Sequence, residues 1–312
     1  MKTEKQVRPE ILSFPDFMAA FRAQYEYGIP KLRKDFSFTE QMVHKHNRDL
    51  HGIIVRQTGK SIAPVFYYED LYSSYCNGTS LEQCISEVVK FVTGRSMPDD
   101  NFRQQLVSWE HICDRLIVKL INQKRNSALL TESPYMMFGD MALVVQIYLD
   151  DESLGKGAIT VDQDLIRMWK MTKKDVFSRA MENMKQYTIT AIDLLDYAGD
   201  GKTIDPETPR IYVYSYDAPF PGASAIIRND KLHEFADSKE TDFYLLPVSM
   251  HEALLIEYKE DISKEFLYGM LHSINTDKGL SDSMISDEVY LLRRNQDNLI
   301  NIADGKEIVL FE

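Results

Sequence analysis

The sequence predicts an α+β fold, with a helical N-terminal part and a C-terminal part of successive β-β-α units. Three observations carry that expectation. Apolar residues recur at helical spacing through residues 81–92; short apolar runs of strand length alternate with turn residues beyond residue 138; and each pair of runs leads into an amphipathic stretch. At 312 residues with 44% hydrophobic content, 17 Tyr and 15 Phe, the chain can bury a sizeable core in one large domain or two.

Taken in order, "FPDFMAAFRAQYEYG" reads as a helix ended by Gly28 and Pro30, and "SFTE" (37–40) has the Ser-x-x-Glu form that starts another. "IIVRQ" and "SIAPVFYY" flank Gly59 and predict a hairpin, with Pro64 marking an edge or bulge. "SLEQCISEVVKFVTG" predicts a helix with Ser80 and Gln83 as its capping box and Gly94 at its end. Residues 99–122 continue the helical reading through Phe102, Leu106, Trp109, Cys113, Leu116 and Leu120, with His111 off that stripe as a partly exposed helix residue.

From residue 138 three β-β-α units are expected. "MALVVQIYL" and "GAITV" lead into "DQDLIRMWKM"; "PRIYVYSY" and "SAIIR" lead into "NDKLHEFADS"; "DFYLLPV" and "EALLIEY" lead into "DISKEFLYGMLHSIN". Setting Ala158 on Ala225 also sets Ile159 on Ile226 and Leu165 on Leu232, the pattern an internal duplication would leave. "EVYLLRRNQDNLINI" predicts a last hairpin turning at "NQDN". The resulting organisation is a tail and helix over 1–36, a hairpin plus helical region over 37–137, and a sheet-rich region over 138–312, the last two able to form one continuous domain.

The balance of 36 Lys+Arg against 48 Asp+Glu gives a formal net charge of −12, which repels phosphate backbones and disfavours nucleic acid as a partner. The short basic runs "KLRK" and "HKHNR" read as solvated faces. The N-terminal stretch lacks the apolar core of a signal peptide, and no apolar run approaches the ~18 residues that span a bilayer. Cys76, Cys84 and Cys113 show no CxxC spacing, so three small buried or half-buried thiols in a reducing cytoplasm are expected.

The chemically richest stretch is "DFYLLPVSMHEALLIEY", where His251 precedes Glu252 between two apolar runs. Zinc hydrolases place H-E-x-x-H on a helix so that two His four apart reach one metal. Here Leu255 stands four after His251 and the flank alternates like a strand, so a turn joining two strands is expected. Ser249, His251 and Glu252 are retained as weak catalytic candidates. His44, His46 and His51 with Asp49 cannot all share a face: an extended segment aligns His44 with His46, a helix His44 with His51.

Asp196, Asp200, Gly201 and Glu207 occupy positions 1, 5, 6 and 12 of an EF-hand pattern, but Ala198 and Pro206 break it. "SLGKG" and "PFPGAS" match neither a P-loop nor a nucleophile elbow and read as loops. No metal or cofactor is expected.

Four ordered blocks nevertheless carry a resemblance: "GIIVRQTGKSIAPVFYYEDLYSSYCNGTSLEQ" (52–83), "KLINQKRNSALLTESPYMMFGDMALVVQIYL" (119–149), "FYLLPVSMHEALLI" (243–256) and "SDEVY" (286–290). They are similar to blocks of the bacterial domain-of-unknown-function family DUF5688. Where the family pattern has Ser-Ser-x-His-Glu, this chain has Val248-Ser249-Met250-His251-Glu252, one hydroxyl fewer. The resemblance implies a bacterial, cytoplasmic, single-chain protein and offers no catalytic residues to carry over. The expectation is therefore a non-catalytic binding or regulatory protein with a protein partner. The alternative is a hydrolase-like enzyme at Ser249, His251 and Glu252.

Overall fold

The computed structural model describes residues 11–32, 34–60, 63–94, 100–151, 155–194, 208–277 and 280–309, and it is a mixed α+β protein. Its contacts divide the chain into two units, Met1–Val43 with Asp49–Leu106, and His44–Arg48 with Val107–Glu312. Among the described residues no helix is long and apolar enough to cross a membrane.

In the first unit, helix α1 (Phe14–Leu32) begins where Ser13 Oγ caps the Asp16 amide at 3.3 Å. Phe17, Phe21 and Tyr25 recur every four residues and are buried as one stripe. The expected stop at Gly28 and Pro30 does not occur, since the helix runs on to Leu32. Pro30 falls in its last turn, where a missing N–H removes a single helical hydrogen bond.

The second expected helix, at "SFTE", is a strand: β1 (Phe36–Lys45) pairs with β2 (Arg48–Gln57), and β2 pairs with β3 (Val65–Tyr67). Period two explains the difference, because Phe36, Phe38 and Glu40 fall on one face of β1. Phe36 and Phe38 pack on the aromatic cluster. The Glu40 carboxylate accepts hydrogen bonds from Arg22 Nε (3.0 Å), Tyr25 Oη (2.7 Å) and Tyr68 Oη (2.6 Å) instead of capping a helix.

Helices α2 (Tyr68–Cys76), α3 (Leu81–Gly94) and α4 (Asp100–Val107) follow. The Ser80–Gln83 capping box forms as expected, with both reciprocal bonds present at 2.8 and 3.2 Å. Cys84, Ile85, Val88 and Val92 are the buried stripe of α3. Cys84 is buried, Cys113 half-buried and Cys76 exposed, the last against expectation.

The second unit opens with the short helix α5 (Trp109–Ile112), where the expected long helix over 99–122 fails. Its second half is a buried strand, β4 (Leu116–Asn122). "LIVKLIN" has strand alternation and pairs along its whole length with the central strand β6 (Met141–Asp151). Between them come α6 (Ser127–Glu132) and β5 (Tyr135–Phe138), and β7 (Gly155–Thr160) completes a four-stranded sheet. Then come α7 (Gln163–Trp169) and α8 (Lys173–Met184). Leu116, Val118 and Leu120 on β4 face the α8 side, where the Val118 amide meets Met184 Sδ at 3.1 Å.

A seven-stranded antiparallel sheet forms the rest: β8 (Thr188–Asp193), β9 (Ile211–Asp217), β10 (Phe243–Leu246), β11 (Ala253–Glu257), β12 (Tyr290–Leu292), β13 (Asn298–Asn301) and β14 (Glu307–Val309), in spatial order β14-β13-β12-β10-β11-β9-β8. Helix α9 (Asn229–Lys239) covers one face, its Phe235 ring against Tyr212, Tyr214 and Phe243. Helix α10 (Lys264–Thr276) buries Leu267 and Leu271 against the other, with Val213, Leu246 and Ile256.

The expected hairpins at "SMH" and "NQDN" are present, as β10–β11 and β12–β13. "SAIIR", however, is not a strand: residues Gly222–Ile227 form a fully buried 3-10 helix, so the middle β-β-α unit is absent. Ala158 lies on a strand and Ala225 on this helix, and the two stretches matched by offset have different structures. Apolar residues alone cannot separate the two states over so short a run.

A glycine-bearing corner helps to fix the second unit. Gly139 has φ +61° in the β5–β6 turn, where a Cβ would stand 2.3 Å from Tyr290 Oη. Beside it, the Asp140 carboxylate accepts from Ser286 Oγ (2.6 Å), Tyr290 Oη (2.7 Å) and the Asp287 amide (2.9 Å), tying the smaller sheet to the start of β12. Burial pushes this carboxyl above its ordinary range despite the three donors.

The Glu40 cluster generates a pH prediction. Burial favours the neutral acid, yet hydrogen bonds from Arg22, Tyr68 and Tyr25 outweigh it and bring the carboxyl from its usual 4.5 to about 2. A depressed carboxyl contributes stability that is complete above pH 4.5 and lost as pH falls through about 2. Glu40→Gln is expected to cost about 1–2 kcal/mol at pH 7 and to flatten the acid limb in that window, measured by denaturant titration at stepped pH.

Candidate functional site

The connection at Ser249–Glu252 is a tightly pinned turn. Ser249 Oγ accepts from the His251 amide at 3.1 Å and the Glu252 amide at 3.3 Å, and the Ser249 amide donates to the Glu252 carbonyl. The Met250 amide donates to Ser283 O at 2.7 Å and its carbonyl accepts from the Ala223 amide at 3.2 Å. Gly222 is required there, because a Cβ would lie 2.8 Å from Tyr216 O and 2.9 Å from His251 O. Ser249 is buried, His251 exposed and Glu252 half-buried. Among the described residues no hydrogen bond joins Ser249 Oγ to the His251 ring.

His44 and His46 do share a cavity, as an extended segment requires, whereas His51 belongs to the first unit and holds Glu69 through Nδ1 at 2.7 Å. Among the described residues no three His, Cys, Asp or Glu side chains gather as metal ligands would. His111 is an exposed helix residue hydrogen-bonded to Ser108 Oγ. The EF-hand-like stretch lies outside the described residues, as do Ser153 and Leu154 of "SLGKG". Gly222–Ser224 of "PFPGAS" begin the buried 3-10 helix, after Pro219, Phe220 and Pro221 have formed a wall of the same cavity.

That cavity, about 470 Å³, lies within the second unit. Its floor is one face of the four-stranded sheet. Register sets Lys119 opposite Val144, Gln146 opposite Thr160 and Tyr148 opposite Ala158, so alternate residues of β4, β6 and β7 point the same way. The opposite face carries Val118, Leu120, Val145 and Ile147, all buried.

Alternation therefore separates a dry face from one that bears an amine, a carboxamide, a phenol and a hydroxyl. Gln146 Nε2 donates to Thr160 Oγ1 at 3.1 Å, and the Phe220 ring meets Tyr148 edge-on at 6.2 Å between centroids.

The residues 44–48 bring His44, Lys45 and His46 to the cavity, and Asn47 anchors them. Asn47 sits at φ +57°, an αL conformation that Asn tolerates. Its amide donates to Asn126 Oδ1 (2.7 Å), Asn126 Nδ2 donates to Asn47 Oδ1 (2.8 Å), and Asn47 Nδ2 donates to Met284 O (2.7 Å).

Electrostatically the site is basic inside an acidic protein. Lys45, Lys119 and Lys156 line it against one carboxylate, Asp282, which pairs with Arg48 at 3.2 Å. Lys156 pairs with Asp150 at 3.5 Å. Lys119 has no carboxylate partner among the described residues. Burial, and next the Lys45 charge, bring its ammonium down to about 8.

Burial first, and then Lys119, hold the His46 imidazole down at about 3, so the ring is neutral near pH 7. The Ser283 and Met284 carbonyls lie near it without meeting hydrogen-bond geometry with either nitrogen. The buried Tyr148 Oη likewise has no hydrogen-bond partner among the described residues.

Two other concavities among the described residues lack this combination. A more open cleft of about 1060 Å³ beside β5 and β14 has Lys306 paired with Asp304, Lys173 over the Tyr135 ring, and Glu288 bonded to Tyr268 and Asn301. One of about 580 Å³ beside α9 is lined by Lys231 paired with Glu234, Arg228 with Asp230 and Lys185 with Glu182.

With this geometry in hand, the comparison with known families is informative about membership. A family model, described as a family of unknown function (DUF5688), matches residues 14–294. The chain belongs to the DUF5688 family. No curated protein and no solved structure matches it. Three of the four blocks that carry the resemblance contribute to the second unit. "KLINQKRN" supplies Lys119 and Asn126, "VSMHE" supplies Met250, and "SDEVY" supplies Ser286 and Tyr290 to Asp140.

Lys119 is absent from the sequence-based candidates because residues 99–122 fit a helix; Gln146 is absent although its strand is expected correctly. The signal was present: each is a lone polar residue inside an otherwise apolar strand, which asks for a polar environment.

The Asn clamp gives the second prediction. Asn126→Ala leaves the Asn47 amide without its acceptor, and is expected to cost about 1–3 kcal/mol. It should also speed hydrogen exchange at Asn47 and its neighbours far more than at β10, as read by exchange mass spectrometry.

Proposed function

We propose that the chain is a non-catalytic binding protein for a small organic anion, held in the Lys119 cavity. The observation that carries this reading is a half-buried Lys119 with no carboxylate partner among the described residues, at the floor of a cavity it shares with Lys45 and Lys156. Leaving a cation half-buried and uncompensated is costly unless an anion completes it. The cavity falls in the size range of small-ligand sites, with apolar walls from Ile121, Val144 and Phe220 and a few convergent polar groups. Those walls suit an anion with a short aliphatic or aromatic body.

The hydrolytic alternative at Ser249, His251 and Glu252 draws less support. Its serine oxygen is already engaged by two main-chain amides in closing the turn. An exposed free thiol at Cys76 suits a reducing cytoplasm.

Binding of 4-methylpentanoate, measured by titration calorimetry at pH 7, tests the reading. Lys119→Met is expected to weaken it 10- to 100-fold, the value of one charge-assisted hydrogen bond of about 1.5–3 kcal/mol. His251→Ala should leave it unchanged. No binding by the native chain, or equal binding by Lys119→Met, would count against the site.

A further inference from the structure

We propose that Lys119 is a reactive amine that captures a carbonyl-bearing organic anion, of the 2-oxo acid kind, as a reversible imine. The proposal rests on the anion-cavity reading and adds a covalent step at Nζ.

Geometry makes the case first. Lys119 projects from the middle of β4 into a half-open cavity with apolar neighbours Ile121 and Val144, which disfavours the charged amine. A lysine becomes a nucleophile when it is desolvated or set beside another cation. Lys119 has both conditions, since it is half-buried and Lys45 is its strongest charged neighbour. With its pKa brought down to about 8, about a tenth of Lys119 is neutral at pH 7, against roughly one part in three thousand for an ordinary lysine.

Lys45 and Lys156, the latter shared with Asp150 at 3.5 Å, make the lining basic where the carboxylate would lie. Tyr148 and Gln146 stand on the same sheet face, Gln146 diagonal to Lys119 in register, where their polar ends suit the carbonyl oxygen and the carbinolamine that follows. His46, neutral at pH 7, lines the same space without adding a competing positive charge.

The step balances without any further reagent. The Nζ lone pair attacks the carbonyl carbon, the C–N bond forms as the C=O π bond breaks, and one N–H proton leaves Nζ as the oxygen takes one up, giving a carbinolamine. The nitrogen lone pair then expels that oxygen, protonated a second time, as water, and loss of the second N–H proton from the resulting iminium leaves the C=N bond. One amine and one ketone become one imine and one water, and hydrolysis reverses the sequence.

The test is trapping. The full chain is incubated with 4-methyl-2-oxopentanoate and cyanoborohydride, which reduces an imine to a stable secondary amine, and the modified lysines are located by peptide mass spectrometry. The expected result is an adduct at Lys119 formed at least about tenfold faster than at the surface lysines. That ratio should be at its plateau below pH 8 or so and shrink as pH approaches the ordinary lysine value of about 10.5. Lys119→Arg should remove this adduct while the surface lysines of the same sample, folded by circular dichroism, label as before.

Labelling of Lys119 no faster than the surface set in the native chain overturns the proposal. Binding of 4-methylpentanoate, which lacks the ketone, separates the two claims. If it binds through Lys119 and the oxo acid gives no selective adduct, the imine falls and the anion cavity stands. If neither acid binds or labels selectively, both fall.

Discussion

The pleat of β4, β6 and β7 is the constraint on which the rest of the second unit depends. Successive side chains leave a strand on opposite sides, so a sheet with an apolar helix beneath it must present the alternate residues elsewhere. Val118, Leu120, Val145 and Ile147 are committed to the dry side, beneath which α8 packs along β4. Once they are buried, Lys119, Gln146 and Tyr148 have no freedom to be anywhere but on the other face. A slip of one residue in the β4–β6 register would exchange the two sets and bury a lysine against methionine and leucine. The Asp140 carboxylate opposes such a slip, since its three donors meet it only when the β5–β6 turn is correctly placed.

The parts of the fold legible in the sequence were those where one local rule acts alone. The Ser80–Gln83 box, the stripe of α3, the β10–β11 hairpin and the "NQDN" turn follow from residues within a few positions of one another. The errors came where a distant partner decided. "SFTE" has the form of a helix start, yet Glu40 is claimed by Arg22, Tyr25 and Tyr68, 18, 15 and 28 residues away. The apolar stripe of residues 99–122 fits a helix until β6 offers Leu116–Asn122 seven paired positions. "SAIIR" fits a strand until Gly222 is pressed between the Tyr216 and His251 carbonyls.

The site was less legible than the fold, for a related reason. His251 and Glu252 drew attention because adjacent polar residues in an apolar context are visible in one dimension. The structure gives that context a local explanation: Ser249 closes the turn, and the His251 ring is exposed. The basic cavity is assembled from residues 44–46, 119, 121, 129, 144, 146, 148, 156–158, 160, 219–221, 250 and 282. No motif in a single stretch could announce it. Within a chain of net charge −12, its three lysines are also invisible to any average.

The Asn47–Asn126 clamp has a consequence for how the protein is made. Its side-chain bonds join residues 79 positions apart, and Asn47 Nδ2 then reaches the Met284 carbonyl 237 positions away. Contacts of such long sequence separation are closed late, because the intervening chain must first lose its freedom. A nascent chain can complete α3 and the β4–β6 pair well before residue 284 has left the ribosome. The cavity thus comes into being only after residues 282–284 have joined it, and occupancy of it reports that this late closure has taken place.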